Sequence, residues 1–301
     1  MKVKILLLIL ISLMFANACK ENTADKTNVK TVCPKKIASL SLASDEILLD
    51  IVENDKIIGI TYLADNKKLS NIYGRTSGIP HKLLPNLEQI IDINPDLLIV
   101  ADYIDYAFID QITKTGINTH FLTELNSINS INQNIILLGK AVCEEDNATS
   151  LINSLNKSIE ELKKRELSYN PTVLYLFPSF FTAGINTTID DLITTAGGIN
   201  IGAVAGIYGN KKISREYILN ADPEIIIIGS YSPDEENFIE TLRSDKVLGQ
   251  LKAITNSNVY TIETSHLTTV SHHIIKGIQE LSEIIDNYNK KLDENKTKTS
   301  N

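Results

Sequence analysis

The residues of this 301-residue sequence that could perform covalent chemistry do not form a catalytic pattern. The sequence contains no GxSxG, HExxH, GxxxxGK or GxGxxG motif. Two acid pairs, Asp45 with Glu46 and Asp190 with Asp191, are each adjacent in sequence, and adjacent side chains on a helix do not face one substrate together. The pattern therefore argues against an enzyme and leaves a secreted hydrolase as the enzymatic alternative.

Metal-ligating residues are present but scattered along the chain. A zinc or manganese site needs three or four converging ligands, and the candidates, which share no recognisable spacing, are His81, His120, Glu263 and His266. Two further histidines, His272 and His273, are adjacent at a predicted helix start. They are expected to point in different directions, so one of them could reach an iron or haem but both are not expected on one ion. We predict no resident cofactor and no resident metal.

The aromatic residues that could bind a ligand are placed by an internal repeat. Residues 87–103 (LEQIIDINPDLLIVADY) align without a gap with residues 215–231 (REYILNADPEIIIIGSY), at an offset of 128 residues. Each copy predicts a short helix, a stop before proline, and an aliphatic strand buried on both faces, which is typical of a parallel sheet. Tyr103 and Tyr231 come just after the strand in the two copies. The repeat therefore predicts two similar α/β lobes.

The elements around the repeat support the same division. In the first half we expect a strand at residues 37–41, a helix at 45–52 capped by Ser44 and a strand at 55–60. In the second half we expect a strand at 172–176 and a helix at 189–196 capped by Thr188.

Three other segments complete the prediction. Residues 69–85 and 202–212 are predicted to be irregular loops, and long loops in compact domains are usually functional. A helix at residues 144–165 lies between the two repeat copies and is predicted to connect the lobes.

The first residues indicate export. Residues 1–18 combine two lysines, a short apolar core and small residues, which is typical of a signal peptide. Cys19 follows and resembles the lipidated cysteine of a bacterial lipoprotein, so residues 19–35 are predicted to be a lipid anchor and tether. The alternative is a free secreted protein that begins at Cys19. Cys33 and Cys143 could form a disulfide outside the cytoplasm or remain two separate thiols.

Composition limits the possible partners. The chain is 43% hydrophobic and 22% charged, with a net charge of −8, which is typical of a globular protein and argues against nucleic-acid binding.

In the order and spacing of its motifs the chain resembles the substrate-binding proteins of bacterial ABC importers for iron-siderophores, haem and cobalamin. The resemblance rests on KKIASLSLASDEILLDI, IIGITYLAD, NLEQIIDINPDLLIV, TAGINTTIDDLITTAGGINIG, SREYILNADPEIIIIG and VYTIET. It implies the class III periplasmic-binding-protein fold, an α/β fold with two Rossmann-like lobes joined by one long helix. The corresponding domains are an N-terminal lobe at 36–143, a connecting helix at 144–167, a C-terminal lobe at 168–289 and a flexible tail at 290–301.

The resemblance also implies where ligand and permease bind. The ligand lies between the lobes at the carboxyl ends of the strands. The candidate contacts are Tyr62, Arg75, Tyr103, Phe180, Phe181, Tyr208, Tyr231 and His266. One surface acid on the first helix of each lobe docks to arginines of the permease, and the matching residues are Glu46 and Asp191.

The function implied is that of a receptor without enzymatic activity. A monomer, exported and lipid-anchored in the cell envelope, captures cobalamin, a ferric siderophore or haem and delivers it to an ABC permease dimer with its ATPase. A zinc or manganese receptor of similar architecture is the alternative. Only Arg75 and Arg215 are placed to bind an anionic siderophore, which favours cobalamin or another large uncharged chelate.

Overall fold

Two parallel β-sheets, one in each half of the chain, form the framework of the protein. The structure is a computed structural model that describes residues 32–230 and 233–299. The two halves of the sequence between Cys33 and the C-terminus form one compact unit. The predicted fold class, two α/β lobes with parallel sheets, is confirmed.

The first lobe has a five-stranded sheet in the order β3-β2-β1-β4-β5, with all neighbours parallel. Its strands are β1 (Ile37–Ser39), β2 (Ile57–Thr61), β3 (His81–Leu83), β4 (Leu97–Ala101) and β5 (Thr119–Leu122). Its helices are α1 (Leu42–Ile51), α2 (Leu87–Ile93), α3 (Tyr106–Thr115) and α4 (Ile128–Val142). Strand β4 is buried along its whole length, which explains its continuous apolar sequence.

The connecting helix α5 (Glu145–Lys163) leads into the second lobe, whose parallel sheet has the order β11-β10-β6-β8. Its strands are β6 (Thr172–Tyr175), β8 (Ile199–Asn200), β10 (Ile225–Gly229) and β11 (Val259–Ile262), and an antiparallel pair is formed by β7 (Phe181–Ala183) and β9 (Asn210–Lys212). Its helices are α6 (Thr188–Thr195), α7 (Ile201–Val204), α8 (Arg215–Ala221), α9 (Pro233–Ser244), α10 (Lys252–Thr255), α11 (Thr264–Leu267) and α12 (Ile274–Thr299).

The sequence repeat corresponds to one structural unit in each lobe. Helices α2 and α8 precede the central strands β4 and β10, and both helices end at a residue with left-handed backbone, Asn94 (φ 45°) and Asp222 (φ 44°). Asparagine and aspartate tolerate this conformation better than most residues, and the proline that follows prevents the helix from continuing. The repeated Asx-Pro pair is therefore the helix stop that the sequence predicted.

Helix starts differ from the prediction. The residue that caps α1 is Ser41, not Ser44, and Thr187 rather than Thr188 caps α6, because their side chains accept hydrogen bonds from the backbone N–H groups three residues on. The two irregular loops also contain short elements, β3 in the first and α7 and β9 in the second.

The sequence predicted a flexible tail at residues 290–301, but these residues are helical as far as Thr299, because α12 continues to that residue. The buried Asn289 anchors this extension by donating to the carbonyl oxygens of Tyr169 and Ile285, each at 3.0 Å.

Cys33 and Cys143 form a disulfide, which resolves the question that the sequence left open. The bond joins the segment before β1 to the left-handed residue between α4 and α5, so it closes a loop around the whole first lobe. A structural disulfide is typical of proteins outside the cytoplasm. No helix within the described ranges has the length and apolar character needed to cross a bilayer.

Candidate ligand-binding cleft

Two adjoining cavities lie between the lobes, and we call them together the cleft. The larger has a volume of about 580 Å³ and the smaller about 300 Å³, and Thr268 and Val270 line both. The larger is lined mainly from the second lobe, by Leu125, Asn126, Tyr175, Phe177, Phe181, Thr182, Asn186, Thr187, Thr188, Ile189, Gly209 and Asn210. The smaller is lined mainly from the first lobe, by Leu42, Ala43, Glu46, Leu63, Leu69, Tyr103 and Thr269.

The cleft lining is apolar or uncharged almost throughout. Among the described residues that line the cavities, Glu46 alone has a carboxyl group, and none is arginine, lysine or histidine. Lys212 lies near the larger cavity, with its Nζ atom 5.6 Å from the centre of the Phe181 ring. These surfaces suit a ligand that offers large apolar faces and few charges.

Neighbouring phenylalanines in the second lobe have different roles. Phe181, at the start of β7, lines the larger cavity and is 39% exposed. Phe180 has a left-handed backbone (φ 61°). The centre of its ring lies 5.7 Å from the centre of the Phe238 ring, and the Arg215 guanidinium lies over its face. The structure therefore places Phe180, partly buried, against the core of the second lobe. Phe177, which the sequence analysis did not select, lines the cavity instead.

Tyr103 follows the central strand β4 and lines the smaller cavity. Burial at this site raises the pKa of its phenol above the usual range, and a hydrogen bond with Ser41 partly offsets that effect. The predicted contact residues Tyr62 and Tyr208 are 51% and 60% exposed and precede the lining residues Leu63 and Gly209.

Arg75 and His266, two further predicted contacts that do not line the cleft, bind other parts of the protein. The Arg75 guanidinium donates to Asp50 Oδ1 at 2.5 Å and to the Leu49 carbonyl oxygen at 3.2 Å. His266 is bound through Nδ1 to Glu280 on the last helix. Neither side chain lines the cavities.

The expectation that His272 and His273 would point apart is wrong. Nε2 of His272 lies 2.7 Å from Asp50 Oδ2, and Nε2 of His273 lies 3.9 Å from the same oxygen. Burial raises the pKa of Asp50, but hydrogen bonds from His272 and Arg75 outweigh it and hold that pKa well below its usual value.

The zinc candidates from the sequence do not converge. Within the described part of the chain, the group with metal-binding proximity is Asp50, His272 and His273, and it includes none of His81, His120, Glu263 or His266.

Glu46 was predicted to dock to a permease from the outer surface, and the structure contradicts this because Glu46 is only 1% exposed. Its Oε1 accepts from the backbone and side-chain nitrogens of Asn71, at 2.9 and 3.1 Å. Its Oε2 accepts from the hydroxyls of Thr269 and Ser271 in the second lobe. The carboxylate therefore joins the lobes at the base of the smaller cavity.

Asp191 is also engaged within the protein. Its Oδ2 accepts from the backbone N–H of Ile128 at 2.7 Å, and burial together with the neighbouring Asp190 raises its pKa. Counted from their helix caps, Asp191 corresponds to Asp45 and not to Glu46. The two predicted docking acids are therefore neither equivalent nor free.

The repeat contains a pair of acids that are exposed and occupy equivalent positions in the two lobes, and the sequence analysis did not select them. Glu88 and Glu216 occupy the first turns of α2 and α8, are exposed, and form no ion pair with the described residues. Because α2 and α8 lead into the amino ends of parallel strands, their first turns lie towards the carboxyl ends, where the cleft loops begin. The identity of these two positions in the repeat was the signal that could have found them.

Two predicted residues, Tyr231 in the second repeat copy and the lipidation residue Cys19, lie outside the described residues.

Comparison with known proteins places this architecture in one family. The family profile described as "Periplasmic binding protein" matches residues 37–265. A "Cobalamin-binding protein" of Halobacterium salinarum is 22% identical over 263 residues, which cover 84% of this chain and 70% of the relative. The "Uncharacterized ABC transporter substrate-binding lipoprotein YvrC" of Bacillus subtilis is 22% identical over 268 residues, covering 84% of this chain and 80% of the relative.

Among solved structures, the periplasmic heme-binding protein RhuT of Roseiflexus sp. RS-1 in its apo form superposes with a TM-score of 0.73 at 21% identity. The superposition covers 83% of this chain and 97% of RhuT, so the two proteins share the fold.

Proposed function

The chain belongs to the periplasmic-binding-protein family, and on that premise we propose that it captures a large, uncharged metal chelate, with cobalamin as the first candidate, for an ABC importer. Members of this family are substrate-binding proteins and not enzymes, and they work outside the cytoplasm. The observation that carries the proposal is the cleft between the lobes, with aromatic and uncharged walls and no cationic side chain among its described lining residues.

Cobalamin suits these walls better than the other two candidate ligands. An anionic siderophore favours several cationic groups, but Arg75 is bound to Asp50 and Arg215 to Asp245. Haem takes a tyrosine or histidine on iron, and the described lining residues offer Tyr103 and Tyr175 but no histidine, which makes haem the second candidate. A halobacterial relative carries the name cobalamin-binding protein, which supports the same choice.

We propose that binding is accompanied by little movement of the lobes. In addition to α5, the lobes are joined by Glu46 with Thr269 and Ser271, and by Asn71, which donates to the Ser265 carbonyl oxygen at 2.6 Å. Breaking such buried contacts for a wide opening would leave several polar groups without partners. Small closing motions about preformed walls remain compatible with the contacts.

Docking to a permease is proposed to use Glu88 and Glu216. Both are exposed carboxylates at equivalent positions, and the rigid connection between lobes would hold them at a fixed separation. A dimeric permease with one arginine site per subunit would fit such a pair. We propose attachment to the membrane through lipid at Cys19, in keeping with the lipoprotein relative from Bacillus subtilis.

Equilibrium dialysis tests the proposed ligand class. The lipid-free chain from Lys20 is dialysed against cyanocobalamin, haemin and ferric siderophores in parallel, with a cell that contains no protein as the control. We expect retention of cyanocobalamin at one molecule per chain. Retention of only an anionic siderophore would contradict the uncharged ligand class.

A further inference from the structure

Three potential metal ligands from both lobes meet behind the cleft, at the junction of α1 and α12. Asp50 lies in the last turn of α1, and His272 and His273 immediately precede α12. The metal-ligating atoms of the three residues all lie within 4.8 Å of one another. We call this group the junction cluster.

The carboxylate of the junction cluster is oriented by Arg75. The guanidinium donates to Asp50 Oδ1 and to the Leu49 carbonyl oxygen, so the second carboxylate oxygen, Oδ2, faces the two imidazoles. Ligating carboxylates in metal sites are held by outer hydrogen bonds in this way. One oxygen is therefore fixed and the other is directed into the cluster.

The imidazoles have nitrogen atoms that the protein leaves without partners. Nε2 of His273 is buried and forms no hydrogen bond with the described residues, whereas in His272 the nitrogen without a partner is Nδ1 and Nε2 is bound to Asp50. His272 is 7% exposed, and the two rings lie 4.0 Å apart between their centres. A buried polar atom without a partner is unfavourable by roughly 1–3 kcal/mol. The His273 nitrogen lies 3.9 Å from Asp50 Oδ2, which is too far for a hydrogen bond but leaves space for a bridging ion.

We propose that Asp50, His272 and His273 bind one divalent transition-metal ion of the Zn²⁺ type, through Oδ2 and the two Nε2 atoms. Imidazole and carboxylate together suit this class of ion, and three protein ligands leave one coordination position for water. Ligand atoms on tetrahedral zinc lie roughly 3.4 Å apart when each is about 2.0–2.1 Å from the metal. Binding therefore requires the Asp50–His272 pair, now 2.7 Å apart, to separate by about 0.7 Å, and the Asp50–His273 pair, now 3.9 Å apart, to close by about 0.5 Å. His272 must also release the proton that it shares with Asp50.

An ion bound at the junction cluster would connect the two lobes and stabilise the folded chain. Asp50 belongs to the first lobe, and the histidines precede the last helix of the second lobe. An ion held by all three joins the lobes, so it stabilises the folded chain by an amount that rises with the logarithm of its concentration relative to its dissociation constant. This site is separate from the ligand cleft, because none of its three residues lines either cavity.

One nearby charge provides an internal test. Arg75 is positively charged and binds the same carboxylate, so it opposes a second cation. Arg75→Gln keeps a hydrogen-bond donor and removes this charge. We expect Arg75→Gln to bind Zn²⁺ more tightly than the wild type.

The experiment uses the metal-free, lipid-free chain from Lys20 without a histidine tag. Zn²⁺ is titrated up to millimolar concentration and followed by calorimetry and thermal unfolding, and Co²⁺ serves as a spectroscopic probe of the ligand set. We expect one ion per chain and a higher melting temperature with Zn²⁺. His273→Gln leaves the Asp50–His272 hydrogen bond intact and is expected to weaken binding by at least about 100-fold, because the loss of an outer-shell partner alone costs roughly 10–100-fold and His273 is a direct ligand.

His81→Ala is the matched control, because His81 is exposed on β3 and is not part of the cluster. Unchanged binding in His81→Ala together with the loss in His273→Gln supports the site. The proposal is overturned if the wild type does not bind Zn²⁺ or Co²⁺ at millimolar concentration, or if His273→Gln binds as tightly as the wild type. Circular dichroism of His273→Gln without metal verifies that its fold is retained.

Discussion

The hydroxyl of Ser271 donates a hydrogen bond to Oε2 of Glu46, so the first helix of one lobe is bound to the segment that begins the last helix of the other. The two residues are 225 positions apart in sequence, and both are essentially buried. This contact makes the floor of the cleft a shared structure of both lobes. It also changes the role of Glu46 from a surface docking residue to an internal support.

Replacing Glu46 is therefore expected to affect stability. Glu46→Ala removes the acceptor for Asn71, Thr269 and Ser271, and we expect the free energy of unfolding to fall by about 3 kcal/mol, since hydrogen bonds to charged groups contribute about 1.5–3 kcal/mol each. Denaturant unfolding measures the change. Glu88→Ala, a matched exposed glutamate, is expected to change stability by less than about 0.5 kcal/mol. Equal stability of the two variants would show that Glu46 does not support the fold.

The docking proposal predicts that replacing Glu88 and Glu216 affects the permease and not the stability of the chain. Glu88→Lys combined with Glu216→Lys is expected to leave ligand affinity unchanged and to lower stimulation of the permease ATPase, because lysine repels the arginines of the partner. Each single variant should give a partial loss. Glu161→Lys, on the exposed face of α5, serves as the control. An equal loss in the Glu161 variant would indicate a general charge effect instead of docking by the repeat glutamates.

The disulfide is expected to stabilise the first lobe. Cys33 and Cys143 enclose a loop with a sequence separation of 110 residues, and restricting the unfolded chain over such a loop contributes about 4–5 kcal/mol in the chain-entropy treatment. Thermal unfolding with and without a reducing agent tests this, with the Cys33→Ser, Cys143→Ser double variant as a second measurement. Identical melting temperatures for the oxidised and reduced chains would contradict it.

Asp45 provides a test by pH. Its carboxyl group is fully buried, Oδ1 has no hydrogen-bond partner among the described residues, and burial raises its pKa well above the usual value. The folded state then holds the Asp45 proton more tightly than the unfolded state. Ionising this group therefore lowers stability as the pH rises from about 4 towards the folded-state pKa.

Asp45→Asn removes that titration while it keeps the shape of the side chain. We expect the variant to gain stability relative to the wild type above about pH 4, with the difference growing as the pH rises and vanishing at lower pH. Denaturant unfolding of both chains across this range gives the difference directly. A difference that is independent of pH would show that Asp45 does not titrate as proposed.

The framework of the fold could be predicted from local sequence because its signals are local. The aliphatic strands β4 and β10, and the Asx-Pro stops at Asn94 and Asp222, depend on neighbours within a few residues. Repetition of the unit at a fixed offset then indicated two similar lobes. The caps were missed by one to three residues because several serines and threonines near each helix start are chemically suitable.

The site was harder to predict because it depends on distant partners. Glu46 looked like a surface acid, but its hydroxyl donors lie 223 and 225 residues away. Arg75 was predicted to contact the ligand, but its guanidinium donates to Asp50, which lies 25 residues earlier in the sequence. Phe180 has a left-handed backbone, and its ring packs against the core while the ring of Phe181 lines the cavity. No pattern of residue types predicts that backbone conformation.

Calorimetric titration with cyanocobalamin, comparing the wild type with three single variants, tests the central claim most directly. Tyr103→Ala and Phe181→Ala each remove an aromatic wall of the cleft, and we expect each to weaken binding at least about tenfold, which corresponds to about 1.4 kcal/mol. Phe180→Ala is the matched control and should bind as the wild type does below its melting temperature. Absence of cyanocobalamin binding by the wild type, or equal binding by all four chains, would contradict capture of this ligand in the cleft.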